Sequence, residues 1–196
     1  MDIPTDASAP PREAPEELVV LLDEDHRPSG VARKAEVHTR DTPLHLAFSC
    51  WLFDADGRVL LTRRALGKAA WPGVWTNAFC GHPFPGEEMT DAVRRRAERE
   101  LGVGVTGLAM ALPDFAYRAV DASGIVEHEV CPVFTGLIDG TLEPRPDEVM
   151  DVAWSDPAGV LDAVAGVPFA FSPWFVEQAP LLAAAVPERF TAPAVR

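Results

Sequence analysis

The chain has 196 residues, of which 47% are hydrophobic and 24% are charged, and this predicts one domain with a substantial core. Its formal net charge is −13. Such a charge argues against general binding to nucleic acid or to an anionic membrane, since both need a basic surface, and an anionic ligand would need a locally basic pocket.

The N-terminus and the cysteines indicate the type of compartment. No run of 18 apolar residues occurs, and the N-terminus lacks the basic start and apolar centre of a signal peptide, so we expect a cytoplasmic protein. Residues 1 to 16 contain four prolines among small and acidic residues, which predicts a disordered tail before a single domain over residues 17 to 196. The three cysteines, Cys50, Cys80 and Cys131, have no C-x-x-C spacing, which disfavours a disulfide framework or a zinc knuckle.

The first half of the chain alternates between strand and turn signals. The segment from Glu17 to Asp23 predicts a short strand, and the HRPSG sequence after it predicts a turn. The apolar segment from Leu44 to Phe53 ends in Asp-Ala-Asp-Gly, and Arg58 to Thr62 follows, which predicts a hairpin. Bulky and small residues alternate from Trp75 to Cys80, as in a further strand.

A helix follows in the middle of the chain. Val93, Ala97 and Leu101 recur every four residues and predict a helix from Glu87 to Leu101 that ends at Gly102.

The second half of the chain predicts more strands and two shorter helices. The predicted elements are a hairpin of Phe115 to Ala119 with Ile125 to Leu137, a strand from Val149 to Trp154, a helix from Asp156 to about Ala165, and a last helix from Trp174 that Pro180 kinks or ends. Strands around one long central helix predict an α/β sandwich.

The stretch from Cys80 to Val103 carries several reactive side chains. Cys80 and His82 stand two apart, so an extended backbone points both side chains the same way. Glu87 and Glu100 lie at opposite ends of the predicted helix. A thiol, an imidazole and carboxylates therefore share one strand, loop and helix.

The spacing of this stretch resembles the Nudix box. The matching positions are Gly81, Glu87, Arg95, Ala97, Glu100, Gly102 and Val103. Where the usual box reads Arg-Glu-x-x-Glu-Glu, this chain has Arg95-Arg96-Ala97-Glu98-Arg99-Glu100. Arg96 and Arg99 thus replace two of the carboxylates with which Nudix hydrolases hold several Mg²⁺ ions.

Four further blocks make the resemblance more specific. Together with HTRDTPLHLAFSCWLF, RRALGKAAWPGVWTNAFCGHP, SGIVEHEVCPVF and FSPW, the box resembles the type 1 isopentenyl-diphosphate isomerases of the Nudix superfamily, from about Glu17 to Gln178. The resemblance implies a Nudix-type α/β/α sandwich with a mixed sheet and a central box helix. It also implies that isopentenyl and dimethylallyl diphosphate interconvert by protonation and deprotonation through a tertiary carbocation.

Three histidines and two glutamates are candidate metal ligands. On spacing alone, His38 and His45, seven apart around a turn, are more typical of surface or capping residues. The resemblance implies instead that one divalent ion, Mn²⁺, Zn²⁺ or Mg²⁺, binds to His38, His45, His82, Glu127 and Glu129. It further implies a second ion, Mg²⁺, held by Glu100 and the backbone of Cys80, and it implies neither flavin nor nicotinamide.

The resemblance also assigns catalytic roles. A free cysteine is commonly a small buried hydrophobe, and Cys50 and Cys131 fit that description. Cys80 matches the family's catalytic thiol, and Glu129 is its partner for exchanging protons with the two faces of the double bond. Trp174 would stabilise the carbocation through its π face, and Tyr117 would contact Glu129; without the resemblance, both are equally well core aromatics.

A diphosphate needs cations, and four basic residues match the family's diphosphate contacts. They are Lys34, Arg64, Lys68 and Arg96, each of which in isolation is more typical of a solvated surface charge. A small-molecule diphosphate is therefore the expected partner, with neither nucleic acid nor membrane. The competing functions are a Nudix hydrolase of a nucleoside diphosphate derivative, disfavoured by Arg96 and Arg99, and a silent diphosphate-binding module, disfavoured by Cys80 and Glu129.

Overall fold

A computed structural model describes residues 17–191 of the chain, which fold into strands and helices that alternate along the sequence. The strands are β1 (Leu18–Leu22), β2 (Pro28–Arg33), β3 (His45–Leu46), β4 (Phe48–Phe53), β5 (Val59–Arg64), β6 (Trp75–Thr76), β7 (Phe79–Gly81), β8 (Gly104–Leu112), β9 (Ala116–Val120), β10 (Val126–Val130), β11 (Val133–Asp139) and β12 (Val149–Ser155). The helices are α1 (Lys34–Val37), α2 (Met89–Leu101), α3 (Pro157–Gly166) and α4 (Pro173–Ala185), with single 3₁₀ turns at Pro168–Ala170 and Pro187–Arg189.

The strands form two mixed sheets. The first sheet has the order β2-β1-β3-β10-β9, and the second has the order β12-β5-β4-β11-β8, with β6 paired to β5 and β7 to β4. Each sheet contains one parallel pair, β3 with β10 and β4 with β11, among antiparallel neighbours.

The second sheet lies between two helical layers. Side chains of β4 alternate between its faces: Phe48, Cys50 and Leu52 pack with α2, whereas Trp51 and Phe53 pack with α3 and α4. Helices on both faces of a mixed sheet confirm the predicted α/β/α sandwich around the box helix.

Local signals explain where the helices begin and end. The helix predicted from Glu87 begins at Met89 and ends at Gly102, which adopts the left-handed conformation with a φ of 69°. Asp156 caps α3 by accepting a hydrogen bond from the backbone N–H of Gly159, ahead of Pro157. Helix α4 begins one residue earlier than predicted, at Pro173, and continues through Pro180 to Ala185.

Three predicted strands are each divided in the structure. The segment from Ile125 to Leu137 changes sheet at Cys131 and Pro132, because proline has no amide hydrogen for a strand ladder. The segment from Leu44 to Phe53 divides at Ala47 into β3 and β4, which belong to different sheets. The segment from Trp75 to Cys80 divides into β6 and β7, which pair with different strands. The prediction of single strands here was wrong.

Two strands were not predicted. Most of the HRPSG sequence lies in β2 rather than in a turn, and the reversal occurs earlier, where Asp23 Oδ1 accepts hydrogen bonds from the N–H groups of Asp25 and Arg27. Strand β8 is rich in glycine and alanine and mostly half-buried or exposed, so it has little of the apolar alternation that marks a strand.

The predicted tail, residues 1 to 16, lies outside the described residues. None of the described helices combines the length and apolarity needed to cross a bilayer.

Candidate active site

One cavity of about 530 Å³ collects most of the residues predicted to carry the chemistry. Two predicted residues, His45 and Glu100, do not line it, but each contacts a residue that does. The predicted residues that line the cavity are Lys34, His38, Arg64, Lys68, Cys80, His82, Arg96, Tyr117, Glu127, Glu129 and Trp174.

Three imidazoles and a carboxylate converge at one side of the cavity. One ligand atom from each of His38, His45, His82 and Glu129 lies within 4.8 Å of the others. Strand pairing brings two of them together, because Glu129 of β10 is directly opposite His45 of β3. Glu127, two residues along the same face of β10, has Oε2 at 3.1 Å from Nε2 of His38. The five residues named from the sequence therefore form one cluster.

The hydrogen-bonding pattern of this cluster fits a bound cation. Nδ1 of His45 lies 2.9 Å from the Pro43 carbonyl oxygen, which only accepts, so Nδ1 carries the proton and Nε2 presents a lone pair. Nε2 of His38, Nε2 of His45 and Oε2 of Glu127 are buried, and although each lies within 3.4 Å of another atom of the cluster, none has the alignment of a hydrogen bond. Buried polar atoms are normally satisfied. Lone pairs that converge without a hydrogen bond are the arrangement expected of ligands to one divalent ion.

The protonation states suit the same interpretation. Burial lowers the pKa of His82 to about 3, so this imidazole is neutral and can act as a ligand. Burial alone would raise the pKa of Glu129, but the adjacent imidazoles of His45 and His82 hold it well below its usual value, so the carboxylate is ionised. The pKa of Glu127 is raised by burial and by the neighbouring charge of Glu129.

The thiol of Cys80 lies on β7 and faces the same cavity. Its sulfur is 3.3 Å from Oγ of Ser49 and 3.6 Å from Oδ1 of Asn77. Burial raises the pKa of Cys80 to about 11, and the charge of Glu129 acts in the same direction, so the thiol is protonated at neutral pH. Tyr117 donates a hydrogen bond of 2.9 Å to Oε2 of Glu129. A proton donor and a proton acceptor thus share one cavity.

Aromatic rings enclose this part of the cavity. The ring of Trp174 lies 5.6 Å from that of Tyr117 and 5.5 Å from that of Trp71. Its indole N–H donates to Oδ1 of Asn77 at 3.1 Å, so the ring is fixed in place. The two cavity aromatics, Trp174 and Tyr117, are both buried, which limits access of water.

Carboxylates hold the basic side chains at the other side of the cavity. Glu17 pairs with Lys34 at 2.6 Å and with Arg99 at 2.8 Å. Glu148 forms an ion pair with Lys68 and lies 3.5 Å from Nη2 of Arg96. Neither glutamate was predicted from the sequence, because their partners are distant along the chain.

The two predicted arginines differ in their freedom to bind an anion. Nε and Nη2 of Arg64 donate to the backbone carbonyls of Ala70 and Trp71, so part of its function is to shape the loop after β5. Arg96 forms an ion pair with Glu100, yet its Nε and Nη1 are buried without a partner. Arg96 therefore keeps donors available for an anionic ligand.

Glu87, the box carboxylate at the start of the helix, has a structural role. Both oxygens of Glu87 accept hydrogen bonds from Arg95 at 2.7 Å, and Oε2 also accepts one from the N–H of Phe84. These contacts tie the loop before α2 to the helix.

Three buried polar residues that the sequence did not single out, Ser49, Asn77 and Gln178, lie behind Cys80. Ser49 is polar within an otherwise apolar stretch, the signal by which it could have been found, whereas Asn77 follows Thr76 and Gln178 follows Glu177, so neither stands out in the sequence.

Comparisons with known proteins identify the family of the chain. The NUDIX domain model matches residues 43–175. Relatives named isopentenyl-diphosphate Delta-isomerase include one from Leifsonia xyli, 61% identical over 87% of this chain and 94% of the relative. Another, from Mycolicibacterium vanbaalenii, is 60% identical over 86% of this chain and 93% of the relative.

Solved structures support the fold. A Deinococcus radiodurans protein matches with a TM-score of 0.64 and 18% identity, covering 86% of this chain and 99% of that one. The MutT protein of Methanosarcina mazei Go1 matches with a TM-score of 0.57 and 15% identity, covering 72% of this chain and 94% of that one. The chain belongs to the NUDIX domain family and, within it, to the isopentenyl-diphosphate Delta-isomerases.

Proposed function

We propose that this protein interconverts isopentenyl diphosphate and dimethylallyl diphosphate by exchanging protons with the two faces of the carbon–carbon double bond. The observation that carries the proposal is the pairing of a protonated thiol, Cys80, with an ionised carboxylate, Glu129, in one cavity. The relatives' name describes the same reaction class. The proposal also includes a cytoplasmic location.

The isomerisation consists of two proton transfers. Cys80 gives its proton to the terminal methylene carbon of isopentenyl diphosphate, which becomes a methyl group and leaves a positive charge on the adjacent tertiary carbon. Glu129 then takes a proton from the carbon on the other side, and that C–H electron pair forms the new double bond. The reverse reaction uses the same groups with their roles exchanged. No atom is gained or lost.

The surrounding side chains protect the cation. Water would capture a tertiary carbocation, so the site must exclude water and stabilise positive charge without offering a nucleophile. The buried ring of Trp174 faces the cavity beside Tyr117, and an indole face attracts cations. Tyr117 also orients Glu129 through its hydrogen bond.

The basic side of the cavity would bind the diphosphate. Lys34, Lys68, Arg64 and Arg96 all line it, and the unpaired donors of Arg96 suit phosphate oxygens. A Mg²⁺ ion would bind here jointly to the diphosphate, Glu100 and the backbone of Cys80, since Mg²⁺ is typically held by one or two carboxylates plus substrate phosphates. At the other side, Mn²⁺, Zn²⁺ or Mg²⁺ would bind to the five-residue histidine–glutamate cluster. When bound there, the ion would keep Glu129 ionised and fix its orientation.

Hydrolysis of a nucleoside diphosphate derivative is the competing function. A Nudix hydrolase needs a cluster of free box carboxylates to hold its ions. Here Glu87 is bonded to Arg95 and Glu100 to Arg96, and Arg99 stands in place of a third. Glu87 is thereby occupied, and Glu100 is the one left to hold an ion; one carboxylate in place of a cluster disfavours hydrolysis.

Variants of the acid–base pair test the proposal. Cys80→Ala and Glu129→Gln should each lower turnover of isopentenyl diphosphate by about 10²-fold or more, because each removes a required proton transfer. Cys50→Ala is the matched control, since Cys50 is buried outside the cavity. The assay separates the allylic product from released phosphate. Near-normal turnover by Cys80→Ala, or phosphate release without allylic product by the unmodified protein, would contradict the proposal.

A further inference from the structure

A chain of buried hydrogen bonds runs from the core to the sulfur of Cys80. The indole Nε1 of Trp51 donates to Oε1 of Gln178 at 2.9 Å, and Oγ of Ser49 lies 3.0 Å from the same oxygen. Oγ of Ser49 in turn lies 3.3 Å from Sγ of Cys80. Trp51, Gln178 and Ser49 are all 0% exposed, and none of them lines the cavity.

The chemistry of the groups determines the direction of these hydrogen bonds. An indole N–H is only a donor, so Gln178 must present its carbonyl oxygen, and not its NH₂ group, to Trp51. The same oxygen faces Ser49, so the single hydroxyl proton of Ser49 goes to Gln178. Ser49 therefore has only lone pairs left to offer to Cys80.

Asn77 presents a second acceptor to the same sulfur. Its Nδ2 donates to the carbonyls of Cys50 at 2.9 Å and Phe79 at 2.7 Å, which uses both of its protons. Oδ1 is consequently the group that faces the S–H of Cys80, at 3.6 Å. The thiol therefore rests between two oxygen acceptors that do not line the cavity.

We infer that Gln178 and Ser49 are positioning residues for Cys80, which hold its sulfur at the edge of the cavity through hydrogen bonds whose direction Trp51 sets. This inference rests on the proposed function. Rotation about the Cβ–Sγ bond turns the S–H from Ser49 towards the substrate without moving the sulfur. The sulfur is then in place before the proton is transferred, which is the benefit of a preorganised donor.

Helix α4 carries both Gln178 and Trp174. Gln178 follows Trp174 by one helical turn, and the indole of Trp174 is bonded to Asn77. One helix thereby places both the thiol and the aromatic ring that would face the cation. Displacement of α4 would disturb both together.

Variants of the two residues test the inference. Ser49→Ala removes the acceptor, and Gln178→Met fills the same space without an oxygen. Each should lower kcat by about 10-fold with KM and metal content nearly unchanged, because the sulfur is less well placed. Ser49→Ala should leave the melting temperature nearly unchanged, whereas Gln178→Met should lower it, because the buried N–H of Trp51 and O–H of Ser49 lose their acceptor. Gln178→Glu keeps the accepting oxygen and should retain more activity than Gln178→Met. Thr135→Val is the control, since Thr135 is a buried hydroxyl on the neighbouring strand β11 that does not line the cavity.

The double variant provides the sharpest result. Because Gln178 acts on Cys80 through Ser49, the variant carrying both Ser49→Ala and Gln178→Met should be no slower than the slower single variant. If the double variant shows the product of the two single losses in kcat, or if Ser49→Ala keeps full kcat, the inference is wrong. If Gln178→Met does not fold, the kcat of Ser49→Ala alone decides: a loss of about 10-fold supports the inference, and an unchanged kcat overturns it. The unmodified protein is assayed in parallel: if it does not isomerise isopentenyl diphosphate, the proposed function itself is wrong.

Discussion

Individual side chains in the cavity and beside it have buried polar atoms without a hydrogen-bond partner. Nε2 of His38, Nε2 of His45 and Oε2 of Glu127 converge without hydrogen bonds, and Arg96 keeps two free donors. Leaving such atoms unsatisfied in a buried site costs roughly 1–3 kcal/mol each. Their number and convergence therefore indicate ligands, a cation on one side of the cavity and an anion on the other.

Metal binding is expected to weaken as the pH falls, because His45 and Glu127, two of the proposed ligands, both have raised pKa values. Burial opposes the charged form of His45, but the adjacent carboxylate of Glu129 outweighs burial and raises the pKa of this imidazole above its usual value. Below that raised pKa the metal-free protein holds a proton on His45, which an ion must displace. His82, with a pKa of about 3, does not compete over this range.

The measurement is a calorimetric titration of the metal-free protein with Mn²⁺ between pH 8 and pH 5. Affinity should fall by about tenfold per pH unit once His45 is protonated. His82→Ala should lose the site, and His128→Ala, which changes a histidine outside the cluster, should keep it. Equal affinity across the pH range would remove His45 from the site.

At the scale of the elements, the strongly patterned segments were predictable and the strand breaks were not. The four-residue spacing of Val93, Ala97 and Leu101 places all three in the core, as predicted for α2. The breaks at Ala47 and Pro132 lie within continuous apolar runs, where periodicity cannot tell one strand from two. Which sheet each half joins depends on partners far along the chain, such as Val130, whose carbonyl accepts from the N–H of Ala47 at 2.9 Å.

Helix α2 yields a prediction about diphosphate binding. Arg96→Gln removes the donors that face the cavity and should raise the KM for isopentenyl diphosphate by an amount equivalent to about 1.5–3 kcal/mol. It should also destabilise the fold by about 3–5 kcal/mol, because Glu100 loses its buried partner. Steady-state kinetics and thermal unfolding measure the two effects.

The matched control lies on the same helix. Arg94 is exposed and pairs only at the surface with Asp91, so Arg94→Gln should change neither quantity appreciably. An unchanged KM in Arg96→Gln would show that Arg96 serves only the fold.

In the molecule as a whole, the site forms where the two sheets meet. The histidine–glutamate cluster draws His45, Glu127 and Glu129 from the first sheet, whereas Cys80 and the strand leading to the box helix belong to the second. The chain passes between the sheets at two adjacent points, since the N–H of Ser49 donates to the carbonyl of Pro132 at 3.0 Å. The residue types of the site were readable from the sequence through the family resemblance. Glu17 and Glu148, which hold the basic side chains of the cavity, could not be found in this way, because their positions depend on how the two sheets meet.

The boundary of the domain can be tested by truncation. Deletion of residues 1 to 16, predicted from composition to be a disordered tail, should leave melting temperature and activity nearly unchanged. A deletion extended through Leu22 should unfold the protein, because it removes the buried residues of β1 and the partner of Lys34 and Arg99, Glu17. A large fall in melting temperature on removing residues 1 to 16 alone would show that the domain begins earlier.

The proposed isomerisation passes protons between the protein and the two ends of an allylic unit. Turnover of isopentenyl diphosphate in D₂O with Mg²⁺ and Mn²⁺, followed by nuclear magnetic resonance, shows where those protons come from. Because the thiol of Cys80 exchanges with solvent, we expect dimethylallyl diphosphate with deuterium in a methyl group, and no released phosphate. Product without deuterium would mean that hydrogen moves within the substrate, and release of phosphate without allylic product would mean hydrolysis; either result would show that the proposed proton transfers do not occur.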